Sequence, residues 1–107
     1  MFASIRRYRI ESGSVNELMT LIDTSFTEHV QKIEGFVEYQ ALECGNGELI
    51  TITTYHDRAG AEASTETAAD WVKHTLGDRF AFRRLEAFVA EVVISRAKAD
   101  VLEPEHY

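Results

Sequence analysis

The segment from Leu49 to His74, LITITTYHDRAGAEASTETAADWVKH, constrains the fold more than any other part of the chain. Its first half is rich in β-branched residues, which predicts a strand that ends near His56. Asp57 is suited to cap a helix, and the alanine-rich sequence after it predicts a helix over roughly residues 58–76. A strand that passes directly into a helix is typical of a domain in which helices cover a sheet.

The rest of the chain predicts one more helix and three more strands. Residues 2–10 alternate in the manner of a strand. A capping box of Ser14 with Glu17 then precedes an apolar stripe with helical spacing. Two strands joined by a glycine-rich hairpin follow, and residues 85–96 predict the last strand. The order βαββαβ predicts an α+β, ferredoxin-like fold: a four-stranded antiparallel sheet with two helices on one face.

The last predicted strand is apolar on both of its sides. Two helices cover only one face of such a sheet, and a strand with one face in water normally alternates apolar with polar residues. A large exposed apolar face is unusual on a monomer. The pattern therefore predicts a homodimer that forms through the uncovered sheet face.

Length and composition limit the classes of function. A chain of 107 residues is one domain, predicted at residues 1–96 with a polar C-terminal tail at residues 97–107. The net charge of −7 argues against nucleic-acid binding. No apolar run approaches the roughly 20 residues that cross a bilayer, so no membrane partner is expected. The lone Cys44 cannot form an internal disulfide, and we predict a cytoplasmic location.

Three short segments carry a family resemblance: IEGFVEYQAL, TTYHDRAGAEAS and ADWVKH. They resemble the antibiotic biosynthesis monooxygenase (ABM) family of the dimeric α/β-barrel superfamily, over about residues 2–96. The resemblance implies a dimeric α/β barrel in which two sheets pack face to face, with a pocket between helices and sheet in each protomer. Members include cofactor-free oxygenases of polyphenols, haem-degrading enzymes and proteins without known activity, so the fold alone does not decide the function.

The haem-degrading members allow a comparison by residue. Their working set is a first-strand asparagine, a second-helix tryptophan and a later histidine. Trp71 matches the tryptophan, whereas Arg6 stands at about the place of the asparagine. No histidine occurs between His74 and His106. Haem degradation is therefore disfavoured, and haem binding remains a third alternative through Trp71 alone.

His56 is the residue most suited to catalysis. A histidine titrates near neutral pH, and it can remove a phenolic proton so that the substrate donates an electron to oxygen. The alternative is that His56 braces the strand-to-helix turn together with Asp57. We favour this structural role, because neighbouring residues on a strand point to opposite faces.

Five further residues are predicted to bind a substrate. An indole stacks on flat ligands, and His74 lies three residues after Trp71 on the same side of the helix. A guanidinium holds an oxyanion well. Core packing, the dipole at the end of the second helix and ion pairs across the sheet are the structural alternatives for these side chains. The predicted substrate-binding residues are Tyr8, Tyr55, Trp71, His74 and Arg6.

The sequence lacks the stronger signatures of catalysis. It contains no nucleotide-binding or flavin-binding glycine motif, and its four histidines do not have metal-ligand spacing. We therefore expect neither a cofactor nor a metal. The favoured interpretation is a cofactor-independent monooxygenase that acts on a small aromatic or polyphenolic compound. The alternative is a non-catalytic dimeric module that binds or senses a small aromatic or acidic metabolite.

Overall fold

A computed structural model describes residues 1–98, so the predicted tail lies outside the described residues from residue 99 onward. The strands are β1 (Phe2–Arg9), β2 (Phe36–Gly45), β3 (Glu48–Tyr55) and β4 (Arg83–Glu91). Helix α1 is continuous over Val15–Leu21, Ile22–Phe26 and Thr27–Gln31, and helix α2 over Arg58–Trp71 and Val72–Leu76. A short 3-10 turn, Arg79–Ala81, precedes β4. The predicted βαββαβ order is confirmed.

Each helix begins at a polar capping residue. The Ser14 hydroxyl accepts a hydrogen bond from the Glu17 backbone N–H at 3.3 Å. The second half of the predicted capping box does not form, because the Glu17 carboxylate pairs with Arg79 at 2.6 Å instead. The Asp57 carboxylate accepts from the Gly60 N–H at 2.8 Å, as expected of the residue before α2.

The four strands form one antiparallel sheet in the order β2-β3-β1-β4. Asn46 and Gly47 join β2 to β3, and their φ angles of 54° and 78° are those of a two-residue hairpin turn with left-handed backbone. Strand β4 begins two residues earlier than predicted and ends at Glu91 rather than at residue 96. Its end is tied to the start of the chain, where the Val92 N–H donates to the Met1 carbonyl at 2.8 Å.

Both helices cover the same face of the sheet, and the core lies between them and that face. Strands β1 and β3 alternate so that every second side chain points under the helices. The contacts are mostly apolar and aromatic, but a buried polar layer lies in the middle. The apolar core consists of Tyr8, Ile10, Leu18, Ile22, Phe26, Val30, Leu49, Ala68, Trp71, Leu76 and Phe80. The polar layer consists of Ser4, Arg6, Thr51, Thr53 and Ser64.

The other face of the sheet, called here the open face, carries no helix. Side chains directly opposite one another on neighbouring strands form rows across it. One row is Gln40, Ile52, Ile5 and Phe88, and the next is Leu42, Ile50, Arg7 and Glu86. Phe88 is 50% exposed and Leu42 is 42% exposed. Arg7 pairs with Glu48 at 3.1 Å and with Glu86 at 3.2 Å beside these apolar residues.

None of the helices within residues 1–98 is both long enough and apolar enough to cross a membrane.

We predict that Gly60→Ala lowers the free energy of unfolding by about 1–3 kcal/mol. A methyl group at Gly60 would lie 2.8 Å from Cδ1 and 2.9 Å from Cγ of Tyr55, so the helix or the ring must move. Helix propensity alone favours alanine by about 1 kcal/mol and therefore predicts the opposite sign. Urea unfolding measures the change, with Glu66→Ala on the exposed side of α2 as control. A more stable Gly60→Ala variant would contradict the close contact.

Candidate functional site

A small cavity, called here the inner cavity, lies between the two helices and the covered face of the sheet. Its volume is about 20 Å³, which is room for about one water molecule or one polar ligand group. Three strands, both helices and the segment before β4 contribute its walls. The lining residues are Arg6, Tyr8, Ile22, Phe26, Tyr39, Thr51, Ala68, Trp71, Val72 and Phe82.

A second space, called here the outer cleft, adjoins the inner cavity. It is larger, with a volume of about 210 Å³, and it is lined by Tyr8, Ala69, Val72, Phe82 and Arg84. Tyr8, Val72 and Phe82 belong to both sets of walls. The Tyr8 and Phe82 rings pack together with their centroids 4.5 Å apart. These two rings therefore form much of the partition between the cavity and the cleft.

Aromatic rings from both helices make one wall of the inner cavity. The Phe26 ring lies 5.4 Å from the Trp71 ring and 5.5 Å from the Tyr39 ring, measured between centroids. The indole N–H of Trp71 donates to the Ser25 hydroxyl at 2.9 Å, which links α2 to α1 over the cavity. Both helices adopt a wider π-helical turn at this point, and such turns are frequent at functional sites.

Arg6 lies at the polar end of the cavity and is completely buried, with 0% exposure. One terminal nitrogen donates to the Ser4 hydroxyl at 2.8 Å and more weakly to the Ser64 hydroxyl at 3.4 Å. The other donates to the Thr53 hydroxyl at 3.0 Å. The guanidinium carbon lies 5.8 Å from the centre of the Phe26 ring. Within residues 1–98 its hydrogen-bond partners are all uncharged, and none of them neutralises the cationic charge.

Most surface arginines within residues 1–98 lie beside a carboxylate, whereas the two arginines of the site do not. Five arginines at the surface each lie within 4.0 Å of a carboxylate oxygen: Arg7, Arg9, Arg58, Arg79 and Arg83. Within residues 1–98, neither Arg6 in the inner cavity nor Arg84 in the outer cleft has such a partner. Arg84 instead donates to the Thr65 carbonyl at 3.1 Å and to the Tyr8 hydroxyl at 3.4 Å. Both spaces therefore carry uncompensated positive charge.

The buried tyrosines do not supply the missing negative charge. Burial raises the pKa of Tyr39 far above its ordinary value of 10, although the charge on Arg6 opposes this rise. Burial also raises the pKa of Tyr55 to about 12, against the opposing effects of Arg6 and of the Ser64 hydroxyl. Both phenols are protonated at neutral pH and are therefore able to donate a hydrogen bond. The Tyr55 hydroxyl donates to the Val30 carbonyl at 2.8 Å.

The structure brings together only some of the residues predicted from the sequence. Arg6, Tyr8 and Trp71 line the inner cavity. Tyr55 is buried beneath α2 but is absent from the walls of both spaces. His56 and His74 are exposed, and their side chains line neither the cavity nor the cleft. Their roles in catalysis and binding stay predictions.

Several residues that line the inner cavity were not among the predicted substrate-binding residues. Thr51 was overlooked among the β-branched residues of β3, where it reads as a strand former. The alternation of β1 is the sequence feature that could have identified this site. It places Ser4, Arg6 and Tyr8 on the same side of the strand. Polar residues on a side that must also be covered by helices indicate a buried polar site.

The chemistry open to this site is that of a cation beside flat aromatic surfaces. The walls of the inner cavity contain no carboxylate and no histidine. Among residues 1–98 no three His, Cys, Asp or Glu side chains lie close enough to hold a metal ion. The arrangement is suited to binding a planar molecule and stabilising negative charge that forms on it.

We predict opposite outcomes for two tyrosine variants. Tyr39→Phe leaves the free energy of unfolding unchanged or raises it slightly, because the buried Tyr39 hydroxyl has no hydrogen-bond partner within residues 1–98. Tyr55→Phe lowers it by about 1 kcal/mol, because a buried hydrogen bond is lost. Urea unfolding at one fixed protein concentration measures both. A larger loss for Tyr39→Phe than for Tyr55→Phe would contradict this description of the two hydroxyls.

Comparison with known proteins identifies relatives by structure only. No family model matches the sequence, and no curated protein matches it. A mutant of SnoaB, a cofactor-independent oxygenase from Streptomyces nogalater, superimposes with a TM-score of 0.67 at 11% identity, over 91% of this chain and 97% of that chain.

Two further structures have similar scores. A candidate antibiotic biosynthesis monooxygenase from Nitrosomonas europaea gives a TM-score of 0.63 at 17% identity, over 88% of this chain and 100% of that chain. A dimeric ferredoxin-like protein from an uncultured marine organism gives 0.66 at 12% identity, over 91% of this chain and 98% of that chain. At these identities the likeness concerns the fold. The chain has the ferredoxin-like fold seen in ABM monooxygenases and in dimeric ferredoxin-like proteins.

Proposed function

We propose that this protein is a cofactor-independent monooxygenase that acts on a small aromatic or polyphenolic compound. The observation that carries the proposal is the fully buried Arg6, which has no carboxylate partner within residues 1–98 and lies beside an aromatic wall that includes Trp71. A hydroxylated ring system that becomes anionic is the kind of molecule that such a wall and such a cation stabilise together. The fold shared with SnoaB supports the same reaction class.

The proposed reaction uses the substrate as its own reductant. Loss of a proton from a phenol or from an activated ring methylene gives a delocalised anion, which transfers one electron to O₂. The resulting radical and superoxide combine to form a C–O bond, and protonation gives a hydroperoxide. Loss of water then breaks the O–O bond. The net change converts CH₂ and O₂ into C=O and H₂O, so no external electron donor is needed.

In this proposal the chain acts mainly through charge and position. A cation next to an acidic group lowers the pKa of that group by about 1–3 units, so Arg6 favours the substrate anion. Tyr8 and Phe82 in the outer cleft offer faces for stacking, and the Tyr39 hydroxyl in the inner cavity can donate a hydrogen bond. The exposed His56 does not line the cavity. We therefore assign removal of the proton to solvent rather than to His56.

A second candidate function is a non-catalytic module that binds a small aromatic or acidic metabolite. The observation that favours it is the composition of the inner cavity walls, where Arg6, Tyr8 and Tyr39 are the titratable groups. None of them is a histidine or a carboxylate, the side chains that most often act as a general base. A binding protein needs no such group.

We also propose that the protein forms a homodimer through the open face. The exposed Phe88 and Leu42 lie in neighbouring rows there, beside Ile5, Ile50 and Ile52. The ion pairs of Arg7 neutralise the only charged part of these two rows, and neutral apolar surfaces associate well. A protein of similar fold is described as dimeric.

We predict that metal-free protein consumes one O₂ for each carbonyl formed from anthrone, a three-ring ketone with an activated ring methylene. Arg6→Gln lowers kcat/KM by about a hundredfold, as loss of a group that stabilises a developing anion does. An oxygen electrode and product absorbance measure both quantities. His56→Ala separates the two possible routes for the proton: a rate that falls with this variant would identify His56 as the base after all.

The two alternative functions, a non-catalytic module and a haem-binding protein, predict different results. Tight binding of the aromatic compound without oxygen consumption would favour the non-catalytic module. A Soret band on titration with haem would instead favour haem binding.

We predict that light scattering gives twice the chain mass of 12.1 kDa. Phe88→Glu converts the protein to a monomer, because it places a charge in an apolar row of the open face. Thr24→Glu on the exposed side of α1 serves as control and leaves the mass unchanged. A wild-type particle of 12.1 kDa would contradict the homodimer.

A further inference from the structure

We infer that the inner cavity is an anion site: an aryl carboxylate or a phenolate places its charged oxygen on Arg6 Nε, the Tyr39 hydroxyl and the Thr51 hydroxyl, with its ring in the outer cleft. This inference rests on the proposed function only in treating the ligand as its substrate, and it adds the charge and the orientation of that ligand. It holds equally for a protein that binds the anion without reaction.

The first argument is the number of buried polar atoms that lack partners. Within residues 1–98, four buried side-chain nitrogen or oxygen atoms form no hydrogen bond: Arg6 Nε, Arg9 Nε, Tyr39 OH and Thr51 Oγ1. Three of these four belong to residues that line the inner cavity. Buried polar atoms are rarely left without partners in proteins. Three such atoms around one cavity indicate a group that is bound there.

The second argument is the chemical type of these three atoms. Arg6 Nε is a donor only, and burial raises the pKa of Tyr39, so its hydroxyl keeps the proton that it can donate. The Thr51 hydroxyl can rotate to donate. A single oxygen that accepts all three hydrogen bonds must be electron-rich, and a carboxylate or phenolate oxygen fits this requirement better than a neutral carbonyl or an amine.

The buried positive charge of Arg6 is a third reason to infer a bound anion. A buried cation is costly unless an anion or a dense set of hydrogen bonds compensates it. Within residues 1–98 the two terminal nitrogens of Arg6 bond to hydroxyl groups only, and the tyrosines nearby stay neutral. A neutral side chain in place of Arg6 would serve the same hydroxyl groups without that cost. A bound anion compensates the buried positive charge of Arg6.

The volumes of the inner cavity and the outer cleft are a fourth reason, and they concern the orientation of the ligand. The inner cavity of about 20 Å³ admits one small polar group, whereas the outer cleft of about 210 Å³ is the larger space. The two spaces share the walls formed by Tyr8, Val72 and Phe82. A ligand with a compact charged group and a flat ring therefore fits with the charged group in the inner cavity and the ring in the outer cleft. Arg84, which has no carboxylate partner within residues 1–98, adds positive charge to the wall of the cleft.

The experiment compares matched probes by fluorescence of Trp71, the only tryptophan of the chain. Benzoate and benzamide differ in charge and hardly in shape. We expect benzoate to bind the wild-type protein at least about tenfold more tightly than benzamide, as expected for a charge-assisted contact. Arg6→Gln removes this preference, and Arg6→Lys keeps part of it because the charge remains. Arg58→Gln, which removes an exposed arginine paired with Glu62, leaves the preference unchanged.

A nitrophenol distinguishes the phenolate from the carboxylate as the natural kind of head, because its ionised form absorbs visible light. We expect its apparent pKa to fall by about 1–3 units on binding to the wild-type protein and to stay at its solution value with Arg6→Gln. Tyr39→Phe keeps the charge and the volume, and weakens binding of the preferred anion by about tenfold through loss of one donor. A shift for nitrophenol without a benzoate preference assigns the head as a phenolate, and the reverse result assigns it as a carboxylate.

Two results would overturn the inference. One is equal binding of benzoate and benzamide together with an unshifted nitrophenol pKa. The other is an anion preference that persists in a folded Arg6→Gln protein, which would leave Arg6 with a structural role only. Neither readout requires turnover, so a protein that shows the preference but consumes no oxygen rejects the monooxygenase proposal and supports the anion site.

Discussion

The buried guanidinium of Arg6 adds side-chain hydrogen bonds between parts of the fold that also meet through strand pairing and apolar packing. Its two terminal nitrogens reach Ser4 on β1, Thr53 on β3 and Ser64 on α2. The Ser4 hydroxyl continues the network to Thr65 at 2.6 Å, one residue further along the helix. One side chain thus joins two strands and a helix, and the same side chain supplies the charge of the cavity. Architecture and chemistry depend on the same residue.

The aromatic and apolar residues around this centre set the shape of the site. Gly60 allows α2 to approach the Tyr55 ring closely, which lowers that helix onto the sheet. The link between Trp71 and Ser25 holds the two helices together on the other side of the cavity. Because the helices are fixed at both places, the space between them is small and its walls are well defined. A site of this kind selects ligands by shape as well as by charge.

The fold could be predicted from the sequence because its signals are local. The apolar stripe of α1, the Asp57 cap and the glycine-rich hairpin each reflect a preference of a few neighbouring residues, and the structure has all three. The site could be predicted only in part, since it depends on contacts between distant elements. Trp71 could be predicted from its residue type alone. The register of the strands, by contrast, brings Tyr39 and Thr51 to the same cavity as Arg6. The two histidines have suitable chemistry, yet the turn and the helix end direct them to solvent.

Arg6 and Arg7 are neighbours in the chain, but the sheet places their charges in different media. Arg7 lies on the open face among carboxylates and is about half exposed, whereas Arg6 has no contact with solvent. Dissolved ions screen charges in water over about 8 Å at physiological ionic strength, and they screen buried charges much less. Dissolved salt therefore weakens the attraction of the cavity for an anion much less than it weakens the effect of the Arg7 charge. One strand thus separates a charge that responds to ionic strength from a charge that does not.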